Sequence, residues 1–162
     1  MTKVQNFKKY LLEKCLIGNG IINGIINALI FYAMHKSEPN TTFATTDIVI
    51  DLSETSLILG FLLALIVFPL TAKDLNSGKI NKQESTNKIV GFLPKNKYAS
   101  ALVIGIITMF IIAPITWALV VILNLSPRTV KSMTIFKGIM CAIAGMIAGF
   151  ITILKAVCID EK

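Results

Sequence analysis

Three acidic side chains at the start of the second apolar segment are the first candidates for chemistry. Asp47, Asp51 and Glu54 are spaced i, i+4 and i+7, so a helix over this segment carries them on one face. Ionisable groups in or near a membrane span are costly in hydrocarbon, which makes them candidates for ion or substrate coupling. The uncharged run 56–72 is short, and extending the helix backward brings Asp51 and Glu54 to the outer membrane boundary or just below it. The sequence therefore predicts an acidic stripe, Asp47, Asp51 and Glu54, at that boundary.

Basic side chains around the start of the fourth apolar segment complement this stripe. Arg128, Lys131 and Lys137 fall on the same side of the membrane in the topology predicted below, and Lys137 is the deepest of the three. We expect a salt-bridged cluster between the second and fourth segments. One interpretation is structural pairing, with lysine snorkelling toward the headgroups. The functional hypothesis is that Lys137 and the acidic stripe couple an ion or a substrate.

The first apolar segment repeats an amide and a small residue with a period of four. Asn19, Asn23 and Asn27 form one row, and Gly20 and Gly24 lie in the adjacent row. Small residues let membrane helices approach closely, and amides hydrogen-bond across the contact, so the repeat predicts a packed helix face. The alternative is that the amides line a polar path or a solute pocket near the middle of the membrane.

The fourth segment carries a matching surface of small residues. One row consists of Cys141, Gly145 and Gly149, and the next of Ala144, Ala148 and Thr152. Small rows on both segments predict that the first and fourth helices pack together. The alternative is that one of these rows is the face of a homodimer.

The overall composition is that of a membrane protein. Apolar residues make up 54% of the chain and charged residues 15%, which excludes an ordinary soluble domain. The apolar residues form four blocks, each approaching the roughly 20 residues that cross a bilayer. We predict one all-α membrane domain, residues 1–162, with four transmembrane helices at about 16–34, 50–72, 98–125 and 132–157. A tight turn at 124–127 favours packing as two antiparallel hairpins.

The distribution of lysine predicts the orientation of these helices, because cytoplasmic segments retain positive charge. The N-terminal segment carries Lys3, Lys8, Lys9 and Lys14. The loop 73–97 carries Lys73, Lys79, Lys82, Lys88, Lys95 and Lys97 against two acids. We expect a multi-pass protein of the cell membrane with the N- and C-termini in the cytoplasm. The basic loop should attract anionic lipids, and since it lacks interleaved aromatic residues it does not indicate nucleic-acid binding.

Residue types that bind metals or act as nucleophiles give little signal. His35 is the single histidine and has no second ligand nearby. The three cysteines, Cys15, Cys141 and Cys158, do not suit a disulfide framework. Phosphate-binding, acyl-transfer and metalloprotease motifs do not occur. We predict no cofactor, no metal site and no enzymatic activity.

Several features together resemble small bacterial four-span membrane proteins of unassigned function. These features are the Asn/Gly first span, the segment 47–55, the lysine-rich loop, and Phe136-Lys137 in the fourth span. The resemblance implies a location and a layout, with no activity attached. Small multidrug exporters also have four spans, but they rely on a glutamate inside the first span, where this chain has asparagines.

Two hypotheses for function follow. The first is a small permease-like transporter that uses the outer acid/lysine cluster. The alternative is an accessory or assembly subunit that docks another membrane protein, or a second copy of the chain, through the Gly/Asn face of its first helix.

Overall fold

The computed structural model describes residues 6–82 and 91–158. Within them lie four helices long and apolar enough to cross a membrane: α1 (Phe7–His35), α2 (Thr45–Asn76), α3 (Lys97–Ile122) and α4 (Val130–Val157). At 1.5 Å per residue they are about 39 to 48 Å long, longer than the roughly 30 Å of bilayer hydrocarbon. The predicted all-α, multi-span class is confirmed at this level. Of the predicted lysines, Lys3 and Lys88 lie outside the described residues.

All four helices begin earlier than predicted, because polar groups cap their first turns. The Asn6 side chain accepts a hydrogen bond from the Lys8 backbone at the start of α1 (3.0 Å). Asp47 accepts one from the Ala44 backbone at the start of α2 (3.0 Å). The acidic stripe is therefore helical. At the other end of α3, Asn124 adopts a left-handed backbone conformation (φ 48°), and the helix ends at Ile122 rather than 125.

Helix α1 is not regular along its length. Its segments Phe7–Leu12 and Ile22–His35 are α-helical, and the stretch Glu13–Ile21 between them is a π-helix. A π-helix is wider than an α-helix because its hydrogen bonds run from i to i+5, and long ones are rare. The wide stretch includes Asn19 and Gly20, where α1 meets α4.

The main helix contacts are not those of α1 with α2 and of α3 with α4. Helix α1 packs most extensively against α4, and α2 against α3 and α4, whereas α1 and α2 make few direct contacts. The sequence had predicted hairpins of consecutive helices. Glycines explain part of the difference: a Cβ on Gly60 of α2 would lie 2.9 Å from the Cα of Gly105 of α3. Two bare backbones therefore allow α2 and α3 to cross closely.

Short contacts define the two ends of the bundle. Strand β1 (Thr42–Phe43) pairs antiparallel with strand β2 (Arg128–Thr129), so the α1–α2 and α3–α4 connections lie together at what we call the β end. At the opposite end, the Tyr10 hydroxyl donates a hydrogen bond to Asp74 (2.9 Å); we call it the Tyr10 end. The chain therefore passes back and forth between the two ends.

The interior has one hydrophobic cluster toward each end. Tyr10, Ile80 and Ile153 belong to the cluster at the Tyr10 end, and Phe31 and Met133 to the one at the β end. Large apolar side chains also cover the outside of the bundle, such as those of Ile25, Leu62, Leu102 and Phe110. An outer surface of this kind suits lipid rather than water.

Candidate ion-pair site and groove

One ion pair connects α2 and α4 inside the bundle. The Lys137 ammonium donates to both carboxylate oxygens of Asp51, at 2.7 Å to Oδ1 and 2.8 Å to Oδ2. The side chain of Lys137 is 10% exposed and that of Asp51 is 34% exposed. Each residue lies about two turns inside its helix, about 9 to 10 Å from the helix start at 1.5 Å per residue. This depth separates the pair from the charged residues at the helix ends.

Aromatic rings from α1 and β1 complete the surroundings of Lys137. Its ammonium lies 5.0 Å from the centroid of the Phe31 ring, within range of a cation–π interaction. The Phe31 ring stacks on His35 at 4.3 Å between centroids and packs against Phe43 at 5.4 Å. Helix α1 therefore contributes to the site through Phe31, although it supplies no charge.

The other two acids of the predicted cluster do not join the pair. Asp47 is exposed and caps the start of α2 through the Ala44 backbone. Glu54 is exposed, and no described residue pairs with it. The expectation of a salt-bridged cluster therefore reduces to the single pair of Asp51 with Lys137. The reason is that the three acids are spread along the axis of α2, while α4 presents one buried lysine, at the level of Asp51.

The other two basic residues also have different surroundings. Arg128 donates to the hydroxyl and the carbonyl of Ser132 (2.6 and 3.2 Å), and its guanidinium lies 4.4 Å from the centroid of the Phe136 ring. Burial lowers the pKa of the Arg128 guanidinium, which still stays charged at neutral pH. Lys131 is exposed. Among the described residues, neither Arg128 nor Lys131 forms a salt bridge with the acidic stripe.

The asparagines of α1 bond mainly within their own helix. The Asn23 amide donates to the Asn19 carbonyl (2.8 Å), and the Asn27 amide donates to the Asn23 carbonyl (2.9 Å). The expected hydrogen bonds across the helix contact are therefore not formed by these two side chains. Asn19 differs: it is buried, and its side-chain nitrogen has no hydrogen-bond partner. It fills the space beside Gly149 of α4.

The predicted rows of small residues meet between α1 and α4. A Cβ on Gly20 would lie 2.6 Å from Cγ of Met146, and one on Gly24 would lie 2.6 Å from the Gly138 carbonyl oxygen. On the other side of the contact, a Cβ on Gly145 or Gly149 would collide with Asn19. The glycine row of α1 and Asn19 are therefore covered by α4 of the same chain, whereas Asn23 and Asn27 are half-buried.

A groove lies between α1 and α2, where the two helices leave space. Its volume is ≈ 400 Å³. The polar side chains that line it are Asn23, Asn27, Thr55 and Lys137, and the apolar ones are Ile30, Phe31, Met34, Ile58, Leu59, Leu62, Leu63 and Ile66. We call this the α1–α2 groove. The ion pair thus lies beside a space large enough for a small molecule.

Sequence reasoning missed the polar contacts at the Tyr10 end. Asp74 accepts the Tyr10 hydrogen bond and also lies 3.6 Å from the Lys14 ammonium and 3.9 Å from that of Lys79. In the sequence, Lys14 and Lys79 indicated only the orientation of the helices in the membrane. The sequence signal available was a single acid, Asp74, at the end of an apolar span. The contact of Phe31 with Lys137 was also missed. The available signal was His35, which follows Phe31 by one helical turn and stacks on its ring.

The fold and the site define a class of protein: a multi-pass membrane protein with one partly buried ion pair beside a groove. Comparison with protein-family models, with curated proteins and with solved structures gives no match. Within residues 6–82 and 91–158, no group of three or more His, Cys, Asp or Glu side chains could hold a metal ion.

Proposed function

We propose that the protein is a small permease-like transporter of the cell membrane, with the Asp51–Lys137 pair as its coupling site. The observation that carries this proposal is the depth and geometry of the pair. A lysine 10% exposed and bonded to both oxygens of one carboxylate is costly to place in a membrane span, and such residues mark ion and substrate pathways.

The pair offers a mechanism for coupling because its two members belong to different helices. Removing the charge of one partner leaves the other buried and uncompensated, which is strongly unfavourable. Protonation of Asp51, or a ligand that takes its place on Lys137, would therefore weaken the attachment of α2 to α4. Such a change shifts the packing of two helices beside the α1–α2 groove.

We propose that the Tyr10 end faces the cytoplasm and that both termini lie there. Lys8, Lys9 and Lys14 begin α1, and Lys73 and Lys79 follow at the end of α2, in agreement with the excess of positive charge in cytoplasmic segments. The four helices then cross alternately as antiparallel neighbours in the chain. The same lysines would attract anionic lipids of the inner leaflet.

The transporter proposal has more structural support than the accessory-subunit alternative. The latter needs the Gly/Asn face of α1 to be open, whereas α4 occupies the part of that face formed by Asn19, Gly20 and Gly24. No catalytic role is proposed for the ion pair.

The test is proton flux into proteoliposomes made with the expression host's lipid extract and loaded with a pH-sensitive dye. An imposed membrane potential should drive dye-reported flux in the unmodified protein, and Asp51→Asn should slow it by about tenfold, equivalent to ~1.4 kcal/mol in the barrier. Glu54→Gln is the matched control, because it removes an acid three residues away that is exposed and unpaired. It should leave the flux unchanged.

Two outcomes would contradict the proposal. One is the absence of proton flux above that of empty liposomes. The other is an equal effect of Asp51→Asn and Glu54→Gln, which would assign the flux to surface charge rather than to the buried pair.

A further inference from the structure

The polar side chains of the α1–α2 groove occupy one part of its length, and Ile30 and Met34 of α1 lie between them and the β end. Helix α2 starts at the β end and finishes at the Tyr10 end. Thr55 and Lys137 therefore lie toward the β end, together with Asn27, while Leu62 and Ile66 lie deeper. The distance from Thr55 to Ile66 is about 16 Å at 1.5 Å per residue. A molecule that lies in the groove from these polar groups toward the Tyr10 end therefore has a polar end and an apolar end.

The polar groups at this end retain unused hydrogen-bonding capacity. The Asn27 amide donates to its own helix, but its side-chain oxygen accepts no hydrogen bond from any described residue. The hydroxyl of Thr55 also has no partner among the described residues. An ammonium has three donors, and the Asp51 carboxylate takes up two of those on Lys137. In a membrane, such groups are stabilised by a partner that donates and accepts hydrogen bonds.

The charge of the groove restricts the ligand further. Lys137 is the one charged residue among those that line it, and Asp51 neutralises that charge at 2.7 Å. The groove therefore offers no net charge to attract an ion. A hydroxyl-bearing polar group suits the acceptor on Asn27 and the donors on Thr55 and Lys137.

The groove also faces outward, toward the bilayer. Its side chains Ile58, Leu62 and Ile66 are 57%, 50% and 59% exposed, although they lie in the middle of a membrane-spanning helix. Helices α1 and α2 make few direct contacts that would close the space between them. A ligand can therefore enter sideways from the hydrocarbon.

We propose that the α1–α2 groove binds an uncharged, single-chain amphiphile with a hydroxyl-bearing head. The head lies between Asn27, Thr55 and Lys137, and the chain runs along Leu62 and Ile66 toward the Tyr10 end. This inference rests on the proposed transport function, for which it names the substrate class. It places the head of the ligand beside the Asp51–Lys137 pair.

The experiment is photo-crosslinking in lipid nanodiscs with a diazirine-bearing lauroylglycerol as the probe. Labelling should concentrate on peptides that contain Leu62 and Ile66. Unlabelled monolauroylglycerol should compete, whereas dodecane, which lacks the head, and dodecyl phosphate, which is anionic, should not. Leu62→Trp fills the groove and should reduce labelling about tenfold, equivalent to a tenfold change in affinity.

A matched control is available on another helix. Leu102 of α3 is 51% exposed, nearly the same as Leu62, and does not line the groove, so Leu102→Trp should leave labelling unchanged. Asn27→Leu removes the acceptor and should weaken competition by monolauroylglycerol while leaving the apolar channel intact.

Three results would overturn the proposal: labelling spread evenly over lipid-facing helices, an equal effect of the two tryptophan variants, or better competition by dodecyl phosphate than by monolauroylglycerol. The labelling experiment and the flux experiment test the ligand site and the transport function separately. Localised labelling without proton flux would retain the site and remove the transport function. Flux that depends on Asp51 without localised labelling would retain transport and remove the substrate class.

Discussion

At the residue scale, burial separates Lys137 from the other cations of the β end. Lys131 is exposed and Arg128 reaches Ser132 near the start of α4, whereas the side chain of Lys137 is only 10% exposed. Asp51 is the carboxylate that the Lys137 ammonium reaches. The pair is therefore asymmetric: the side chain of Asp51 is 34% exposed and that of Lys137 is 10% exposed, although Lys137 is the partner that lines the α1–α2 groove.

This asymmetry predicts unequal effects of removing each partner. Asp51→Leu leaves an unpaired buried ammonium and should lower the free energy of unfolding by about 3–5 kcal/mol. Lys137→Met should cost less, because the more exposed Asp51 can be solvated or protonated. The double variant should recover most of the loss. The measurement is unfolding by sodium dodecyl sulfate in mixed micelles, and simple additivity of the two single losses would contradict the ion pair.

The sequence predicted the depth of Lys137 but could not select its partner. Asp47, Asp51 and Glu54 share one helix face at i, i+4 and i+7, and helical periodicity treats them alike. The selection depends on how far along α2 the buried lysine of α4 lies, which is a property of packing. Asp47 is also taken up by the Ala44 backbone, a local capping contact that the pattern of charges does not reveal.

At the element scale, the positions of glycine residues determine which helices pack closely. The regular rows on α1 and α4 indicated their contact in advance, as one of two alternatives. The crossing of α2 and α3 at Gly60 and Gly105 gave no such signal, because a lone glycine in each helix forms no row. The asparagine row was predicted to bond across the contact, yet Asn23 and Asn27 bond to carbonyls one turn earlier. A backbone carbonyl one turn earlier in the same helix is always within reach of an asparagine side chain. An acceptor on another helix is within reach only where the two helices pack closely.

The close approach of α1 to α4 predicts a sharp difference between two glycines of α1. Gly24→Ala places a Cβ 2.6 Å from the Gly138 carbonyl oxygen, so the helices must separate, and we expect a loss of about 1–3 kcal/mol in the free energy of unfolding. Gly18→Ala is the matched control, since a Cβ there meets nothing within 4 Å. Detergent unfolding of both variants checks the prediction. Equal stability of the two would mean that α1 and α4 are not in contact.

At the scale of the whole molecule, α1 and α2 are held together at their two ends rather than along their length. Tyr10 and Asp74 join them at one end, and Phe31 reaches the Lys137–Asp51 pair at the other. The α1–α2 groove lies between these attachments. Hydropathy predicted the four spans because length and apolarity are properties of each segment alone. Hydropathy could not predict the groove, because a gap between two helices depends on how the helices pack against each other and not on the composition of either one.

The orientation in the membrane is the property of the whole molecule that charge predicts most directly. It can be measured by labelling single introduced cysteines. The background is Cys158→Ser, because the two other cysteines, Cys15 and Cys141, are buried. Asn40 and Ser77 are both exposed, on the connections at the β end and the Tyr10 end respectively. Asn40→Cys should react with a membrane-impermeant maleimide in intact cells. Ser77→Cys should react only after permeabilisation, because the lysines near it favour the cytoplasm. The reverse labelling pattern would place Lys14 and Lys79 outside the cell. The β end would then face the cytoplasm, and the head of a ligand in the groove would lie near the inner leaflet instead of the outer one.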